Sequence, residues 1–192
     1  MSPRRLLSLS LLYWVIPLVG TMLVWDSLPK AATQFSLLVA AVIVGLAATM
    51  RQVNYPIIGT PFFILLIASY YQSFLLVDPL LISALLVIAL PLTSFWLYRL
   101  ADQKIERQQV IELIFLGFLT AQINSLLLFW PFSFFENALV SFIGYYALWQ
   151  LIRILDRATP RALIAHFIFT CLAVILVLGV LVWANFPQFR TF

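Results

Sequence analysis

The stretch IIGTPFFILLIASYYQSFLLVDPLLISALLVIALPLTSFWLY, residues 57–98, decides the fold, because it is apolar almost throughout and contains a single charged residue, Asp78. It is about twice as long as the ~20 residues with which a helix crosses a ~30 Å hydrocarbon core. One long helix or a re-entrant segment are the alternatives. An Asp followed by Pro is a strong helix start, since the carboxylate caps unpaired backbone N–H groups and proline fits the first helical position. We therefore predict two spans with a turn at Asp78.

Five further apolar runs of similar length flank this pair. The seven predicted spans are residues 6–25, 32–50, 57–77, 79–98, 110–130, 134–152 and 162–184. The first run lacks a small-residue cleavage pattern near Trp25, so we expect it to be retained. With 64% hydrophobic and 9% charged residues among 192, no segment remains for a soluble domain. The sequence predicts an all-α fold, a polytopic transmembrane helical bundle that forms one domain over residues 1–192.

The basic residues fall almost entirely on alternate connections between these runs. One set of connections holds Arg4, Arg5, Arg51, Arg99, Lys104, Arg107, Arg153, Arg157 and Arg161, and only Lys30 and Arg190 fall on the other side. Lys and Arg in short loops prefer the cytoplasmic side. The pattern predicts a cytoplasmic N-terminus, an external C-terminus and a multi-pass protein of the cytoplasmic (inner) membrane. Anionic lipid headgroups explain the basic excess, so we expect the lipid bilayer and no nucleic acid as a partner.

Small residues repeat every four positions in the second and fifth runs. They are Ala41 and Gly45 in the second run, and Gly117 and Ala121 in the fifth. In lipid, helices associate where small side chains allow their backbones to approach closely. We interpret these four as helix-packing residues and expect the second and fifth helices to be central.

Two groups of polar residues lie within the spans. Thr120 and Asn124 are beside the small-residue stripe of the fifth helix at ~100° per residue, so they should face protein, whereas Gln122 should face a different neighbour. Tyr71 and Gln72 share a face near the outer end of the third helix. Hydrogen bonding between helices is one interpretation of these residues, and a polar lining for a solute is the other.

Two prolines and one histidine complete the candidate functional residues. Pro17 and Pro91 lie near the middle of the first and fourth runs, where each removes a backbone hydrogen bond and should bend its helix. Such broken helices form substrate sites in many transporters, although proline is also common in membrane helices generally. His166, in the seventh run, either senses pH or makes one packing hydrogen bond.

The acidic residues give weaker signals. Glu112 lies about one turn inside the fifth helix, close enough to the cytoplasmic surface to reach Arg107 or Lys104. Asp26, Asp78 and Glu136 fall on the outer side, where they either attract a cation or cap helices, and Ser133 with Glu136 has the spacing of a capping box. The most polar connection, 99–109, contains neither Gly nor Pro and is expected to extend the fourth or fifth helix as a solvated elbow or a docking site.

Several chemistries are excluded by composition. One His and one Cys cannot form a zinc, bis-histidine haem or iron–sulfur site. The nucleotide-binding glycine motifs, the H-E-x-x-H motif and the G-x-S-x-G motif do not occur in the sequence. The sequence accordingly predicts no catalytic residue, no cofactor and no metal site, and a protein that is not an enzyme.

Two function classes remain. The first is a non-catalytic subunit or assembly factor of a membrane complex, which binds other membrane proteins or associates with itself. The second is a small-solute permease or the substrate-binding membrane component of a transporter. A permease requires a polar cavity on which Gln72 and Asn124 converge, whereas a subunit can pack solidly. Replacing Asn124 by Leu is expected to leave a subunit unchanged or stabilised and to abolish solute binding in a permease.

Overall fold

The fold of the chain is given by a computed structural model, which describes residues 3–28, 30–50, 54–74, 77–100, 105–130 and 132–155. Ile168, Leu172 and Gly179 are described individually, all in helical conformation. For residues 3–12, 99–100 and 153–155 only the backbone is described. The seventh predicted span, 162–184, and the C-terminus therefore lie outside the described residues apart from those three positions.

The described residues are helical, with no strand among them. The helices are α1 (Pro3–Val24), α2 (Ala31–Thr49), α3 (Asn54–Phe74), α4 (Pro79–Leu100), α5 (Arg107–Leu127) and α6 (Phe134–Leu155), and a short 3-10 turn, Trp25–Ser27, follows α1. Four of them, α2 to α5, are long and apolar enough to cross a membrane. Such helices are typical of a membrane protein.

The apolar stretch that opened the sequence forms two helices, as predicted. Helix α3 ends at Phe74 and α4 begins at Pro79. The backbone N–H of Leu80 donates to Asp78 Oδ1 over 2.9 Å, and that of Ile82 donates to the Asp78 carbonyl over 3.2 Å. The carboxylate thus satisfies an N–H group that the first turn of α4 cannot satisfy itself.

The starts of α5 and α6 are capped in a similar way. Before α6, the N–H of Ser133 donates to Glu136 Oε2 over 2.9 Å and the N–H of Glu136 donates to Ser133 Oγ over 3.4 Å, which is the predicted capping box. Before α5, the N–H of Glu106 donates to Gln109 Oε1 over 3.2 Å. The connection 99–109 was expected to extend the fourth or fifth helix, and α5 indeed begins at Arg107, three residues before the predicted span, while Ile105 and Glu106 are non-helical.

Consecutive helices pack against each other, so the chain runs up and down through the bundle. On one side of the bundle α1, α3 and α5 end and α2, α4 and α6 begin, and we call this side the Asp78 end. The opposite side is the Met50 end. Contacts between α3 and α6 agree with this direction, since Phe134 at the start of α6 stacks edge-on against Tyr70 and Phe74 at the end of α3.

Helix α3 is the central helix, which corrects the expectation that the second and fifth helices are central. It packs against α1, α2, α4 and α6. Half of its spanning residues are buried, against one third in α2 and in α5. Helix α2 packs mainly against α1 and α3 and exposes Phe35, Ile43 and Leu46. A stripe of small residues indicates close contact on one face, whereas a central position requires burial on several faces.

Candidate polar site within the bundle

The side chain of Asn124 joins three helices. It lies on α5 and is 0% exposed. Its Oδ1 accepts hydrogen bonds from Ser69 Oγ of α3 over 3.0 Å and from Ser141 Oγ of α6 over 3.1 Å. Its Nδ2 donates to Gln72 Oε1 of α3 over 2.8 Å. We call these four residues the Asn124 cluster.

The helical periods of the three segments explain how the cluster forms. Ser69 and Gln72 are three residues apart on α3 and therefore lie on one face. Asn124 follows Gly117 and Ala121 at spacings of seven and three residues, so the small residues that let α5 approach its neighbours also turn Asn124 inward. Ser141 is buried on the face that α6 presents to them. The cluster thus depends on close helix approach.

All four members of the cluster are neutral, and this limits their chemistry. Hydroxyl and carboxamide groups donate and accept hydrogen bonds but do not ionise near neutral pH. Interhelical hydrogen bonds of this kind contribute about 0.6–2 kcal/mol each in membrane proteins. The arrangement can hold α3, α5 and α6 in register or bind a neutral polar molecule, and it offers no general acid or base.

Thr120 lies one turn from Asn124 on α5 but is not part of the cluster. It is 0% exposed, and its Oγ1 donates to the carbonyl of Leu116 in the preceding turn over 2.8 Å. A threonine hydroxyl that donates to its own helix has no donor left for a neighbouring helix or a solute. Of the two polar residues predicted beside the small-residue stripe, only Asn124 makes a hydrogen bond between helices.

Two buried polar atoms, one within the cluster and one beside it, have no hydrogen-bond partner within the described part of the chain. They are Nε2 of Gln72, whose side chain is 7% exposed, and Oδ1 of Asn137, which is 3% exposed. Gln72 is three residues beyond Ser69 on α3, and Asn137 is four residues before Ser141 on α6. Because α3 and α6 run in opposite directions, Gln72 lies about one turn from Ser69, and Asn137 about one turn from Ser141, both towards the Asp78 end. One is a donor and the other is an acceptor.

Tyr71 and Gln72 do not face the same space, which corrects the prediction that they share a face. Gln72 points into the bundle, whereas the half-buried Tyr71 borders a cavity of about 370 Å³ between α3 and α4. The other residues that line this cavity are Ile64, Ile67, Ala68, Val77, Leu81, Ile82, Leu85, Leu86 and Ala89. Apart from the tyrosine hydroxyl, the lining is aliphatic. This cavity therefore lacks the polar groups that would select a hydrophilic solute.

Pro91 contacts the helix-packing residue Gly117. A Cβ atom on Gly117 would lie 2.7 Å from both Cγ and Cδ of Pro91 and 3.3 Å from the carbonyl oxygen of Val87. Pro91 removes the backbone hydrogen bond of that same carbonyl. The glycine allows the backbone of α5 to approach it, which is a common arrangement between membrane helices.

The helix that contains Pro17 is linked to the helix that contains Pro91. The hydroxyl of Tyr13, four residues before Pro17, donates to the carbonyl of Thr93 in α4 over 2.9 Å. The carbonyl of Pro17 itself accepts from Thr21 Oγ1 over 2.8 Å. Tyr13 and Thr21 are both buried. The two predicted hinges therefore belong to helices that are tied together at this level of the bundle.

Gly45 provides the corresponding contact between α1 and α2. A Cβ atom there would collide with the ring of Trp14. The ring nitrogen of Trp14 donates to Thr49 Oγ1 over 2.8 Å, and this hydroxyl donates to the carbonyl of Gly45 over 3.0 Å. Ala41, one turn earlier, is 0% exposed. The small-residue stripe of α2 thus accommodates an indole ring from α1.

The remaining candidates lie outside the Asn124 cluster. His166 is outside the described residues, as is Lys104, one of the two predicted partners of Glu112. Glu112 Oε1 accepts from Gln108 Nε2 of the same helix over 3.1 Å. Within the described ranges no three His, Cys, Asp or Glu residues lie together as a metal site. Asp78 and Glu136 both accept hydrogen bonds from backbone N–H groups at helix starts.

Sequence reasoning did not identify Ser69, Ser141 or Asn137 as parts of the site. The available signal was their spacing, since Asn137 and Ser141 are four residues apart and Ser69 precedes Gln72 by three. It also did not find the contact between α4 and α5 in which the hydroxyls of Ser83 and Ser125 share a hydrogen bond. Gln122 was expected to meet a neighbouring helix and is instead exposed.

Comparison with known proteins identifies no relative: no protein-family model matches the chain, and no curated protein and no solved structure resembles it significantly.

Proposed function

We propose that this chain is a non-catalytic, multi-pass protein of the cytoplasmic membrane that acts as a subunit or assembly factor of a membrane complex. One observation carries the proposal: the polar side chains of the Asn124 cluster bond to each other instead of lining an open space. Asn124, Ser69 and Ser141 are all 0% exposed. Three helices held in this way form a tightly packed bundle whose outer surface is available to partner proteins.

The proposed topology has seven spans, with the N-terminus in the cytoplasm. It is supported by the way the described helices alternate. The sequence between α2 and α3 contains Arg51, and the sequence around the α4–α5 connection contains Arg99, Lys104 and Arg107. Both connections belong to the Met50 end, which the preference of basic loops for the cytoplasm assigns to the inside. A reporter fused after Phe192 should then be external, and a cytoplasmic reporter would contradict the seven-span topology.

The direct test is gentle extraction from native membranes into nanodiscs, followed by native mass determination and identification of every stoichiometric companion. We expect a fixed protein partner. As a matched control, Ser69→Ala with Ser141→Ala should loosen the Asn124 cluster without changing the exposed surface, so the companion should still co-purify. Purification of the chain without any companion protein would contradict the proposal.

A second candidate function is a permease, or the substrate-binding membrane component of a transporter, for a small neutral solute. The observation that favours it is the pair of unsatisfied atoms, Gln72 Nε2 and Asn137 Oδ1. A buried donor and a buried acceptor without partners each cost free energy, and a small molecule that accepts from one and donates to the other would recover it. A single water molecule would have the same effect.

Thermal stability in the presence of neutral polar solutes distinguishes these occupants. A permease should be stabilised by a specific solute, and Gln72→Leu or Asn137→Leu should abolish that stabilisation. A buried water would leave the melting temperature insensitive to every solute. A solute-independent melting temperature in wild type would therefore remove the transport candidate.

A further inference from the structure

Gln122 is a polar residue in the second half of α5, five residues before its last residue, that is exposed and has no hydrogen-bond partner within the described chain. Other exposed polar side chains in the described helices differ from it. Ser36 and Thr49 donate to carbonyls of their own helix. Ser73 lies at the end of α3, where water is within reach.

The position of Gln122 within the predicted membrane span makes exposure of its carboxamide unfavourable in free energy. It lies five residues before Leu127, the last residue of α5, which at 1.5 Å per residue is about 7.5 Å below the end of the helix and further below the exposed aromatic residues Phe129 and Trp130 that follow it. Its side chain has two methylene groups, too few for the snorkelling by which Lys and Arg reach the interface. A carboxamide that faces lipid at this depth has lost its hydrogen bonds to water without replacement.

The surface around Gln122 is apolar and uncharged. Ile111, Phe115, Phe118 and Leu126 lie on the same face of α5 at helical spacing and are all exposed. We call these four residues and Gln122 the Gln122 face. A partner that binds there must be apolar with one neutral group that both donates and accepts hydrogen bonds.

A second copy of the chain has this property. A carboxamide carries two N–H donors and a carbonyl acceptor in one plane, so two of them can pair through two N–H···O bonds. Copies inserted in the same orientation present Gln122 at the same depth. A two-fold axis along the membrane normal then brings each Gln122 opposite its equivalent, as in an isologous dimer. We propose that the Gln122 face is a self-association surface, on which a second copy of this chain docks. This inference goes beyond the proposed function, because it requires no other protein.

Cysteine crosslinking in native membranes tests the geometry. In a Cys171→Ser background, Leu126→Cys, which is one turn from Gln122 on the same face and keeps the carboxamide, should give a disulfide-linked dimer on mild oxidation, because equivalent residues close to a two-fold axis come within disulfide range. The control is Ile43→Cys on α2, which is exposed and near mid-helix but on a helix that packs against α1 and α3. Absence of a disulfide-linked dimer in the Leu126→Cys variant, or equally efficient crosslinking of the Ile43→Cys variant, would overturn the proposal.

Energy transfer between labelled chains in proteoliposomes tests the chemistry. We expect Gln122→Leu to weaken the dimer by about ten- to several-hundredfold, because two interhelical hydrogen bonds in lipid are lost. Ile43→Leu should have no effect. An unchanged dimer in Gln122→Leu would contradict a role for the carboxamide. If the Leu126→Cys variant crosslinks and no other protein co-purifies, the self-association surface stands and the subunit proposal fails.

Discussion

Asn124 and Gln122 are two carboxamides on the same helix, two residues apart, with opposite surroundings. At 100° per residue their side chains point about 200° apart. Asn124 is completely buried and has three hydrogen-bond partners on two other helices. Gln122 is exposed and has none in the described chain. Helix α5 therefore has an inner face whose carboxamide joins three helices and an outer face whose carboxamide is unpaired within the described chain.

The largest effect is expected on the inner face at Gly117. Gly117→Val would place side-chain atoms against the ring of Pro91, and because both partners are backbone or rigid ring, α4 and α5 must move apart. Overpacking of this kind costs typically 1–3 kcal/mol, so denaturation in mixed micelles should show a loss of about 3 kcal/mol. Phe118→Val on the outer face is the control and should change stability by less than about 1 kcal/mol. Equal losses in the two variants would contradict the close contact at Gly117.

Asn124→Leu should have the next largest effect. It removes the partner of Gln72 Oε1, while the hydroxyls of Ser69 and Ser141 can turn to the carbonyls of their own helices. We expect a loss of about 1–2 kcal/mol, close to the value for a buried polar group left unpaired. For a subunit, the sequence alone predicted a neutral or stabilising change, because it did not reveal that Gln72 depends on Asn124. The free energy of unfolding in micelles measures the difference, and an increase in stability would contradict the cluster.

A smaller effect is expected for the serines. Ser69→Ala and Ser141→Ala each remove one donor to Asn124 Oδ1 and should each destabilise the bundle by about 0.6 kcal/mol. Since both donate to the same oxygen, the second loss should exceed the first, as the remaining serine partly satisfies the acceptor. A double-mutant cycle on unfolding free energies measures this coupling. Strictly additive effects would mean that the two hydroxyls contribute independently of each other, which would contradict a shared acceptor.

The smallest effect on the isolated chain is expected for Gln122→Leu. No contact within the described chain is lost, so the unfolding free energy of the monomer in micelles should stay within about 0.5 kcal/mol of wild type. A loss as large as that of Asn124→Leu would show that Gln122 has a partner within its own chain. The distinction between the two faces of α5 would then be wrong.

Local chemistry explains which parts of the fold were predictable. The break between α3 and α4 depends on an Asp and a Pro that act within one helical turn, and the start of α6 depends on Ser133 and Glu136 in the same way. The burial of Asn124 followed from its phase relative to Gly117 and Ala121. In each case the residues that decide the outcome are neighbours in the sequence.

The features that sequence reasoning missed depend on how separate helices meet. Whether Ser69 or another α3 residue reaches Asn124 is decided by the register between α3 and α5, which no local pattern specifies. The central position of α3 likewise depends on the order in which helices surround it. The helical period correctly predicted that Gln122 points away from the small-residue stripe of α5. It did not predict that this side chain is exposed.

The most direct test of the account is the native mass of the complex extracted from its own membrane, compared between wild type, Asn124→Leu and Gln122→Leu. For wild type we expect the mass of two or more copies of the 21.9 kDa chain plus the mass of a fixed companion protein. Gln122→Leu should halve the number of copies of this chain, and Asn124→Leu should retain them with lower stability. A lone 21.9 kDa chain that a neutral solute stabilises would contradict it.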